Sequence, residues 1–495
     1  MSQPEYDLVI IGSGPGGYVA AVRAAHLGLK TAIVEKDSFF GGTCLWRGCI
    51  PTKALLENAA VWEQTRHAKD FGISTGELKL DFGAVMDRKT KVVRKLGKGV
   101  EMLIKRNKVD PYQGYGRLAG RGQVSVTASD GKVTTLKIRN VLIATGSTPR
   151  MLPGLKADGK NIVTSDEIVS LTSVPSSLIV LGSGAVGVEF ASIFHRFGSK
   201  VTIVELLPRV VPVEDEEISA ELAKIFRKQG MTIHTSTRAD GFKMQGGKVS
   251  CTLTPVDAAT AAGIPNGPAR ELGAGKPAPA PASPAAGTIE GEVLLVAVGR
   301  RPLTDDLGLD GTKVVLDRGY VKVDGYMRTG EPGVYAIGDI VNTPLLAHVA
   351  SAEGILAVEH MAGREVRPIN YDHIPGATYC EPEVASIGLT EAKAKERGYD
   401  VRVGRFPFAY SSKAPILGQT DGFVKMVAEA KYGELLGMHV IGPRATEMIA
   451  EAGIALRTEA TVEEMYRTIH PHPTLSEAVP EAAHGVFGRA IHYQP

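Results

Sequence analysis

Short apolar runs that end at glycine-rich segments recur along the chain and define its predicted elements. The first run, residues 6–11, is followed by a Gly-x-Gly-x-x-Gly segment at 12–17, a helical stretch at 18–27 and another apolar run at 30–34. Wholly apolar runs of this length are typical of strands that a parallel sheet buries on both faces. The pattern therefore predicts a β-α-β unit at the start of the chain.

The same pattern occurs again about 170 residues later. An apolar run at 177–181 precedes a second Gly-x-Gly-x-x-Gly segment, a helical stretch to Phe197 that Gly198 ends, and a run at 200–204. In both units an acidic residue, Glu35 or Glu205, lies 23 positions after the first glycine. One such motif is weak evidence, but two in full strand–helix–strand context predict two bound dinucleotides.

Each residue type in these motifs has a physical reason. The first glycine makes the tight turn, the second lets the backbone approach a pyrophosphate, and the third allows close packing of helix on strand. The acidic residue binds ribose hydroxyls and repels a 2′-phosphate, which favours NAD in the second unit. The residues concerned are Gly12, Gly14, Gly17 and Glu35 in the first unit and Gly182, Gly184, Gly187 and Glu205 in the second.

Two of the four cysteines, Cys44 and Cys49, closely follow the first unit. In an ideal helix, residues five positions apart are about 8.6 Å apart at Cα, beyond the roughly 4.4–6.8 Å that a disulfide spans. The pair can close only where the backbone departs from ideal helix, which Gly48 and Pro51 permit. Residues 54–60 read as the next helix, so Cys49 is expected near a helix N-terminus, where a thiolate is stabilised.

This placement favours a redox pair beside a redox-active nucleotide over a structural crosslink, and FAD is therefore expected in the first unit. Two unrelated buried cysteines are the less favoured alternative. Residues 141–147 and 334–339 read as further strands of this first domain, and Asp339 at the end of the latter is either a ligand of a ribityl hydroxyl or a helix N-cap.

Strand-like runs at 384–388, 422–427 and 435–441 mix with a helix at 446–457, which indicates a separate α+β domain. The predicted fold class is α/β, with two Rossmann-like dinucleotide-binding domains, for FAD and NAD, and a C-terminal α+β domain. The predicted boundaries are 1–150 for the first part of the FAD domain, 151–299 for the NAD domain, 300–365 for the part completing the FAD domain, and 366–495 for the last domain.

An Ala/Pro-rich segment at 255–287 interrupts the predicted NAD domain. Its composition buries little apolar surface, so we expect a disordered or semi-extended chain. A tolerated insertion at a hairpin tip is favoured over a docking or tethering element.

Composition restricts the function classes. The chain has 495 residues, 43% hydrophobic and 22% charged, with a net charge of +2, which favours neither nucleic acid nor a membrane surface as a partner. No apolar run reaches the 18 or so residues that span a bilayer, and the N-terminus shows no targeting pattern. Four cysteines do not make a secreted disulfide scaffold, so a reducing cytoplasm is expected.

Taken together, the motifs resemble the flavin-dependent pyridine nucleotide–disulfide oxidoreductases over essentially the whole chain apart from the Ala/Pro-rich segment. The segments that carry the resemblance are 41–44, 48–55, 299–302, 336–339 and 472–477. Within the family they are most similar to the enzymes that oxidise a protein-bound dihydrolipoyl group with NAD⁺. The resemblance implies FAD and NAD as cofactors, no metal ion, and a homodimer joined through the C-terminal domain.

The resemblance also implies roles for individual residues. Cys44 would be the thiol that meets the substrate, Cys49 the thiolate that faces the flavin, and Lys53 would lie near the flavin ring and pair with Glu189. Asp339 would bind the flavin ribityl chain, which decides against the N-cap alternative. Further cofactor-binding residues would be Lys53, Thr145, Gly146 and Gly299.

A C-terminal pair completes the implied site. His472 would be the acid–base residue, oriented by Glu477, and would reach the disulfide of the other subunit. Histidine titrates in the range that dithiol oxidation needs, and a carboxylate on its other nitrogen fixes the tautomer. His470 competes for this role, and a surface-loop histidine is the bland alternative, but His472 fits the family's pattern better.

The chain departs from the family at Trp46-Arg47, where a small polar residue, often Asn, usually takes the first position. The indole could alter packing near the flavin, and Arg47 could lower a thiol pKa. The rival functions are a glutathione-type reductase, which Glu205 disfavours, a mercuric reductase, which lacks its extra cysteines here, and a mainly binding component of a complex. The expected partner is the lipoyl-bearing domain of a 2-oxoacid dehydrogenase or glycine cleavage complex.

Overall fold

The computed structural model describes residues 4–257 and 287–494. Among the described residues, none of the helices combines the length and the apolar character that crossing a membrane requires. Strands and helices are numbered here along the chain. The strands are β1 (Tyr6–Ile11), β2 (Thr31–Glu35), β3 (Asp110–Gln113), β4 (Tyr115–Leu118), β5 (Gln123–Thr127), β6 (Val133–Ile143), β7 (Ser147–Pro149), β8 (Ile162–Val163), β9 (Ser177–Leu181), β10 (Lys200–Val204), β11 (Thr232–His234), β12 (Thr237–Gln245), β13 (Lys248–Pro255), β14 (Gly287–Gly291), β15 (Val293–Val296), β16 (Arg300–Pro302), β17 (Leu316–Asp317), β18 (Tyr320–Val321), β19 (Val334–Ala336), β20 (Gly376–Thr378), β21 (Glu383–Gly388), β22 (Val401–Pro407), β23 (Phe423–Glu429) and β24 (Leu435–Gly442).

The α-helices lie between these strands and after them. They are α1 (Pro15–His26), α2 (Gly42–Trp46), α3 (Cys49–Arg66), α4 (Phe82–Arg106), α5 (Ser165–Ile168), α6 (Ala185–Arg196), α7 (Glu216–Gln229), α8 (Ala347–Met361), α9 (Glu391–Glu396), α10 (Lys413–Leu417), α11 (Ala445–Arg457), α12 (Val462–Arg467) and α13 (Ala478–Gly485).

The first glycine motif lies at the centre of a seven-stranded sheet with the order β3-β2-β1-β6-β5-β4, in which β19 also pairs with β6. The strands β3, β2, β1, β6 and β19 run parallel, with Val9 opposite both Ala32 and Val141. These strands are buried because both faces are covered, as their wholly apolar runs predict. The return of β19 beside β6 brings the segment around residue 336 back into the first domain, as predicted.

The second glycine motif lies in a parallel sheet of order β11-β10-β9-β15-β8. It repeats the strand–helix–strand arrangement of the first, with Val180 paired to Ile203 on one side and Leu295 on the other. A three-stranded antiparallel sheet, β12-β13-β14, packs beside it. The predicted repeat of the β-α-β unit is confirmed.

The C-terminal part is built on an antiparallel sheet of order β20-β21-β24-β23-β22. Helix α11 packs on β21 and β24, and α13 packs on β22 and β23. The core between them includes buried Val424, Met426, Met438 and Val440. Strands followed by helices on an antiparallel sheet are the α+β arrangement that the sequence predicts.

The strands that flank the Ala/Pro-rich segment pair with each other. Leu253 on β13 lies opposite Gly287 on β14. The prediction of a hairpin tip for residues 255–287 itself falls almost wholly on 258–286, outside the described residues. The domain boundaries likewise stay predictions.

One long element was absent from the sequence-based prediction. Helix α4 begins after Asp81, whose side chain accepts a 2.9 Å hydrogen bond from the Ala84 backbone N–H, as an N-cap does. Its buried positions, Val93, Gly97, Val100 and Ile104, recur at helical spacing. The helix packs on α3 and also contacts α2, so it supports the segment that carries the cysteines.

Candidate active site

Cys44 and Cys49 form a disulfide at the junction of two helices. Cys44 lies in α2, and Cys49 is the first residue of α3. The helix is interrupted at Arg47 and Gly48, and the two Cα atoms are 4.7 Å apart. The departure from ideal helix and the position of Cys49 at a helix N-terminus, both predicted from the spacing, are confirmed.

The redox segment rests directly on the first glycine motif. A Cβ on Gly42 would lie 2.6 Å from the Cα of Gly14, so only glycine fits there, and its φ of +62° is also one that glycine adopts freely. The backbone N–H of Gly41 donates to both the backbone and side-chain oxygens of Ser13 at 3.1 Å. The disulfide is therefore fixed to the loop that is expected to hold a dinucleotide.

The two glycine motifs show the same steric reasons for their outer glycines. A Cβ on Gly12 or Gly182 would lie 2.3 or 2.5 Å from a carbonyl oxygen of the segment that follows the neighbouring strand. A Cβ on Gly17 or Gly187 would lie 2.0 Å from the carbonyl oxygen of the first glycine of its own motif. Helix and strand can approach this closely only without side chains, as predicted.

The middle glycines face open space. A Cβ on Gly14 or Gly184 would meet no atom of the described chain within 4 Å. These residues are the N-caps of α1 and α6, and neither helix has a side-chain cap on its first N–H groups within the described chain. Uncapped N–H groups and the helix dipole form a site for an anionic group, so both motifs fit the pyrophosphate of a dinucleotide.

The acidic residue of each motif is bound to the serine between the first two glycines. Glu35 Oε2 accepts from the backbone N–H and hydroxyl of Ser13 at 2.9 and 2.5 Å. Glu205 Oε2 accepts the same two bonds from Ser183 at 2.7 and 2.8 Å. Both carboxylates are buried at the ends of β2 and β10, where a ribose would lie if the predicted dinucleotides bind. The sequence contains this duplicated serine, but the spacing rule does not assign it a role.

Asp339 lies on a one-turn 3₁₀ segment, Gly338–Ile340, whose N-cap is Ile337, so Asp339 does not cap this turn. Its carboxylate accepts a hydrogen bond from the hydroxyl of Ser147 and lies 3.8 Å from Nε of Arg300. Arg300 also donates to the Ser147 hydroxyl and backbone oxygen, at 2.6 and 2.8 Å. The polar contacts of Asp339 thus extend to β7 and β16.

The remaining predicted cofactor residues surround the same junction. The hydroxyl of Thr145 donates to the Leu303 carbonyl oxygen at 2.7 Å, and Gly146 and Gly299 have φ values of +74° and +102°. No described atom lies within 4 Å of a Cβ built on either glycine, so both border open space. The contacts therefore place all three residues between the two glycine-motif sheets.

A buried carboxylate that sequence reasoning missed supports this loop. Glu353 on α8 accepts from the backbone N–H of Gly338 at 2.7 Å and from the hydroxyl of Tyr371 at 2.8 Å. Burial raises the pKa of Glu353 despite these bonds. An isolated glutamate in an apolar helix carries no local signal of this contact.

Lys53 and Glu189 pair as the family resemblance implies. Lys53 Nζ lies 2.9 and 2.8 Å from the two carboxylate oxygens of Glu189. Glu189 also accepts from the backbone N–H of Tyr379 at 2.9 Å, and Lys53 Nζ lies 4.5 Å from the centre of the Tyr379 ring. Burial, followed by the Glu189 charge, raises the pKa of the Tyr379 hydroxyl. One ion pair thus joins α3, α6 and the segment before β21.

His472 and Glu477 also pair. His472 Nδ1 lies 2.9 Å from Glu477 Oε1, and Glu477 Oε2 accepts from the Thr474 backbone N–H at 2.7 Å. Burial alone would raise the pKa of Glu477, but the Thr474 and His472 bonds outweigh it and the pKa is lowered. The His472 side chain is 67% exposed, and no hydrogen bond among the described residues joins it to Cys44 or Cys49. An imidazole on an ionised carboxylate can accept a proton at its free nitrogen.

The unusual Trp46-Arg47 pair is absorbed by local packing. Trp46 Nε1 donates to the Phe40 carbonyl oxygen at 2.7 Å, and its ring lies against Gly97 of α4, where a Cβ would be 2.6 Å from the indole. Arg47 pairs with Asp37 at 2.9 Å. The arginine is thus engaged by a carboxylate on the β2 side, and the indole fastens α2 to α4.

Comparison with known proteins agrees with this geometry. The family model described as pyridine nucleotide-disulphide oxidoreductase matches residues 6–354, and the dimerisation domain of the same family matches 374–483. The chain is 44% identical over 506 residues to the dihydrolipoyl dehydrogenase of Bacillus subtilis (strain 168), covering 99% of both chains. It is 44% identical over 492 residues to the dihydrolipoyl dehydrogenase of Mycobacterium tuberculosis (strain ATCC 25618 / H37Rv), again covering 99% of both.

A solved structure extends the likeness to the whole fold. The crystal structure of LpdA from Mycobacterium tuberculosis matches with a TM-score of 0.85 at 28% identity, covering 96% of this chain and 98% of that chain. The predicted fold class is confirmed. Two glycine motifs, a cysteine pair on the first and a matching dimerisation domain lead to one conclusion: the chain belongs to the pyridine nucleotide-disulphide oxidoreductase family.

Proposed function

We propose that this enzyme oxidises a protein-bound dihydrolipoyl group to the lipoyl disulfide and reduces NAD⁺ to NADH, the reaction of a dihydrolipoyl dehydrogenase. The curated relatives at 44% identity bear that name. The observation that carries the proposal is the Cys44–Cys49 disulfide, which lies on a helix junction packed against the first glycine motif. This arrangement joins thiol exchange to a bound dinucleotide in one site.

FAD and NAD are the cofactors of this reaction, and the residues present fit both. The first motif, with Glu35, Thr145, Gly146 and Asp339, would hold FAD, and the second motif, with Glu205 and Gly299, would hold NAD. The bound flavin supplies the passage of an electron pair from the reduced cysteines to NAD⁺. The protein's own residues bind, orient and handle the protons.

The thiol chemistry balances within the cysteine pair. One substrate thiolate attacks Sγ of Cys44, the Cys44–Cys49 bond breaks, and Cys49 leaves as a thiolate. The second substrate thiolate then attacks the substrate sulfur of the mixed disulfide, releasing the lipoyl disulfide and the Cys44 thiolate. Two electrons pass from substrate to protein, and the position of Cys49 at the start of α3 stabilises its negative charge.

His472 would remove the substrate protons. Its Nδ1 is held by Glu477, which leaves Nε2 to accept a proton from the attacking thiol. The match to the family's dimerisation domain and the exposure of His472 support a homodimer in which His472 completes the site of the other subunit. The proposed partner is a lipoyl-bearing domain of a 2-oxoacid dehydrogenase or glycine cleavage complex, and the proposed setting is the cytoplasm.

The test is anaerobic turnover of the purified holoenzyme with dihydrolipoamide and NAD⁺. Cys44→Ser and Cys49→Ser should each lower NADH formation by at least about a thousandfold, whereas Cys251→Ala, which replaces a buried free cysteine remote from the site, should leave it within twofold. Full activity in Cys49→Ser contradicts the proposal. Reduction of glutathione disulfide or Hg²⁺ by NADPH, in place of this activity, would identify the rival reductases.

A binding role of the Ala/Pro-rich segment is tested separately. Deletion of residues 256–286 should leave turnover unchanged, because the flanking strands β13 and β14 still pair. Loss of capture by a purified lipoyl-bearing domain with turnover intact would assign partner binding to this segment.

A further inference from the structure

Two histidines lie two residues apart in the exposed loop after α12, but their rings are bound differently. His470 Nδ1 lies 2.8 Å from the Thr468 carbonyl oxygen, and His470 Nε2 lies 2.9 Å from Glu451 Oε1. His472 has a carboxylate only at Nδ1, and within the described chain its Nε2 has no hydrogen-bond partner. The His470 side chain is 8% exposed and that of His472 is 67% exposed.

The partners of His470 decide its charge. A carbonyl oxygen only accepts a hydrogen bond, and so does an ionised carboxylate. Both ring nitrogens must therefore carry hydrogen, which makes His470 an imidazolium paired with Glu451. His472 differs, because one nitrogen donates to Glu477 and the other stays available as a base.

The His470–Glu451 pair also fastens the loop. Glu451 lies on α11, which is packed on the C-terminal sheet, whereas Ile469 next to His470 is 95% exposed. Beyond His472 the chain is held by the bonds of Glu477 to Thr474. His472 is thus suspended between a fixed pair on one side and a turn on the other.

We infer that His470 is a positioning residue for the proposed acid–base pair: its imidazolium, clamped by Glu451, fixes the direction of His472 and keeps a positive charge beside it, so that His472 stays unprotonated and ready to accept a proton. The inference rests on the proposed function. The charged and titratable groups that face His470 are Glu451 from α11 and Glu477 and His472 from its own loop. The His470 charge also helps to lower the pKa of Glu477, after burial, which opposes the shift, and the Thr474 and His472 contacts, which lower it more.

Three variants separate positioning from charge. His470→Gln removes the positive charge and leaves Glu451 negative, so protonation of His472 becomes easier. We expect kcat to fall about tenfold with the KM for NAD⁺ unchanged, and the acid limb of the pH–rate profile to move up by about half a unit or more. Glu451→Gln should lower kcat similarly without raising the acid limb. The double variant should return the acid limb towards that of the unaltered enzyme while kcat stays low.

The matched control is His492→Gln, because His492 makes a similar pair with Glu481 at 2.8 Å in the same domain but away from the loop. It should change neither kcat nor the pH profile. A second readout is independent of turnover: NMR titration of ¹³Cε1-labelled histidines in the holoenzyme, with the His472 signal assigned by His472→Gln. Its titration midpoint should rise in His470→Gln.

An unmoved midpoint and acid limb in His470→Gln overturn the inference, as does a loss of kcat that follows only a loss of folded or flavin-loaded protein. The proposed function fails differently, through absence of dihydrolipoamide activity in the unaltered enzyme. In that case the NMR midpoint still tests the electrostatic role of His470.

Discussion

Lys53 and Glu189 connect the helix that carries the redox cysteine to the helix of the second glycine motif. Nζ of Lys53 contacts both carboxylate oxygens of Glu189, and the Glu189 side chain is only 5% exposed. The two parts of the chain that are expected to hold the flavin and the nicotinamide are therefore joined by one half-buried ion pair. The pair lies four residues after Cys49 along α3, one turn from the disulfide.

Removal of this lysine should destabilise the fold. Lys53→Met leaves the Glu189 carboxylate with the Tyr379 N–H as its remaining partner, and because Lys53 itself is partly exposed we expect about 1 to 3 kcal/mol, below the range for fully buried pairs. Urea unfolding followed by circular dichroism measures it. The control is Lys224→Met, whose pair with Glu221 is mostly exposed and should contribute at most about 0.5 kcal/mol. Equal effects in the two variants would contradict a structural role for the pair.

A steric fit between helices predicts opposite effects of two alanines on α4. A Cβ on Gly97 would lie 2.6 Å from the Trp46 ring, and overpacking costs about 1 to 3 kcal/mol, more than the gain of about 0.5 to 1 kcal/mol in helix propensity. Gly99→Ala, with no described atom within 4 Å of the new Cβ, should stabilise the protein. Urea unfolding of both variants, and of Gly97→Ala in a Trp46→Phe background, provides the measurement. A cost of Gly97→Ala that stays the same without the indole would show that the fit is not the cause.

The paired acids should divide the two cofactors between them. In Glu205→Gln the amide NH₂ opposes the Ser183 and Leu207 donors that Glu205 accepts, so we expect the KM for NAD⁺ to rise about tenfold with flavin content unchanged. Glu35→Gln, which disturbs the same bonds to Ser13, should lower flavin retention instead. The flavin-to-protein absorbance ratio and steady-state kinetics measure both. Loss of flavin in Glu205→Gln would reverse the assignment of the two sites.

A buried ion cluster between the second sheet and the C-terminal sheet should govern acid stability. Lys425, 2% exposed, contacts Asp215, Glu217 and Glu391 at 3.0, 2.6 and 3.0 Å, and Arg405 binds Glu217. Burial alone would raise the pKa of Glu217, but the bonds from Arg405 and Lys425 lower it to about 2. A carboxyl with a depressed folded pKa contributes its full stabilisation above its ordinary range, and that stabilisation is lost as the pH falls towards 2.

Lys425→Gln should therefore cost about 3 to 5 kcal/mol near pH 7, since it leaves buried carboxylates unpaired. It should also flatten the decline of stability between pH 5 and about 2. Urea unfolding across this pH range gives both quantities. Arg467→Gln, which removes an exposed pair with Glu463, is the control and should leave the pH dependence unaltered. An unchanged slope in Lys425→Gln would show that other groups control acid unfolding.

Local patterns predicted the elements well and the contacts between distant elements poorly. The runs at 177–181 and 200–204 became β9 and β10 with the same bounds, because burial on both faces of a parallel sheet leaves a wholly apolar signature. The spacing of Cys44 and Cys49 foretold an interrupted helix. The apolar positions at 93, 97, 100 and 104 carried enough periodicity to predict α4 as well.

The contacts missed at the site join residues far apart in sequence. Gly42 against Gly14, Trp46 against Gly97 and Glu353 against Gly338 are tertiary contacts, which depend on how packed elements meet. Periodicity reports which face of an element is buried and does not identify the partner that covers it. The pairing of Lys53 with Glu189 was expected only through resemblance to the family, and spacing alone would not have predicted it.

The most direct test of the central claim is a single anaerobic turnover with one equivalent of dihydrolipoamide per active site. NAD⁺ present in excess should yield one equivalent of NADH, and two thiols should become titratable in the unaltered enzyme when NAD⁺ is left out. In Cys49→Ser neither the NADH nor the new thiol pair should form. One equivalent of NADH from Cys49→Ser at the rate of the unaltered enzyme would contradict electron transfer through the Cys44–Cys49 disulfide.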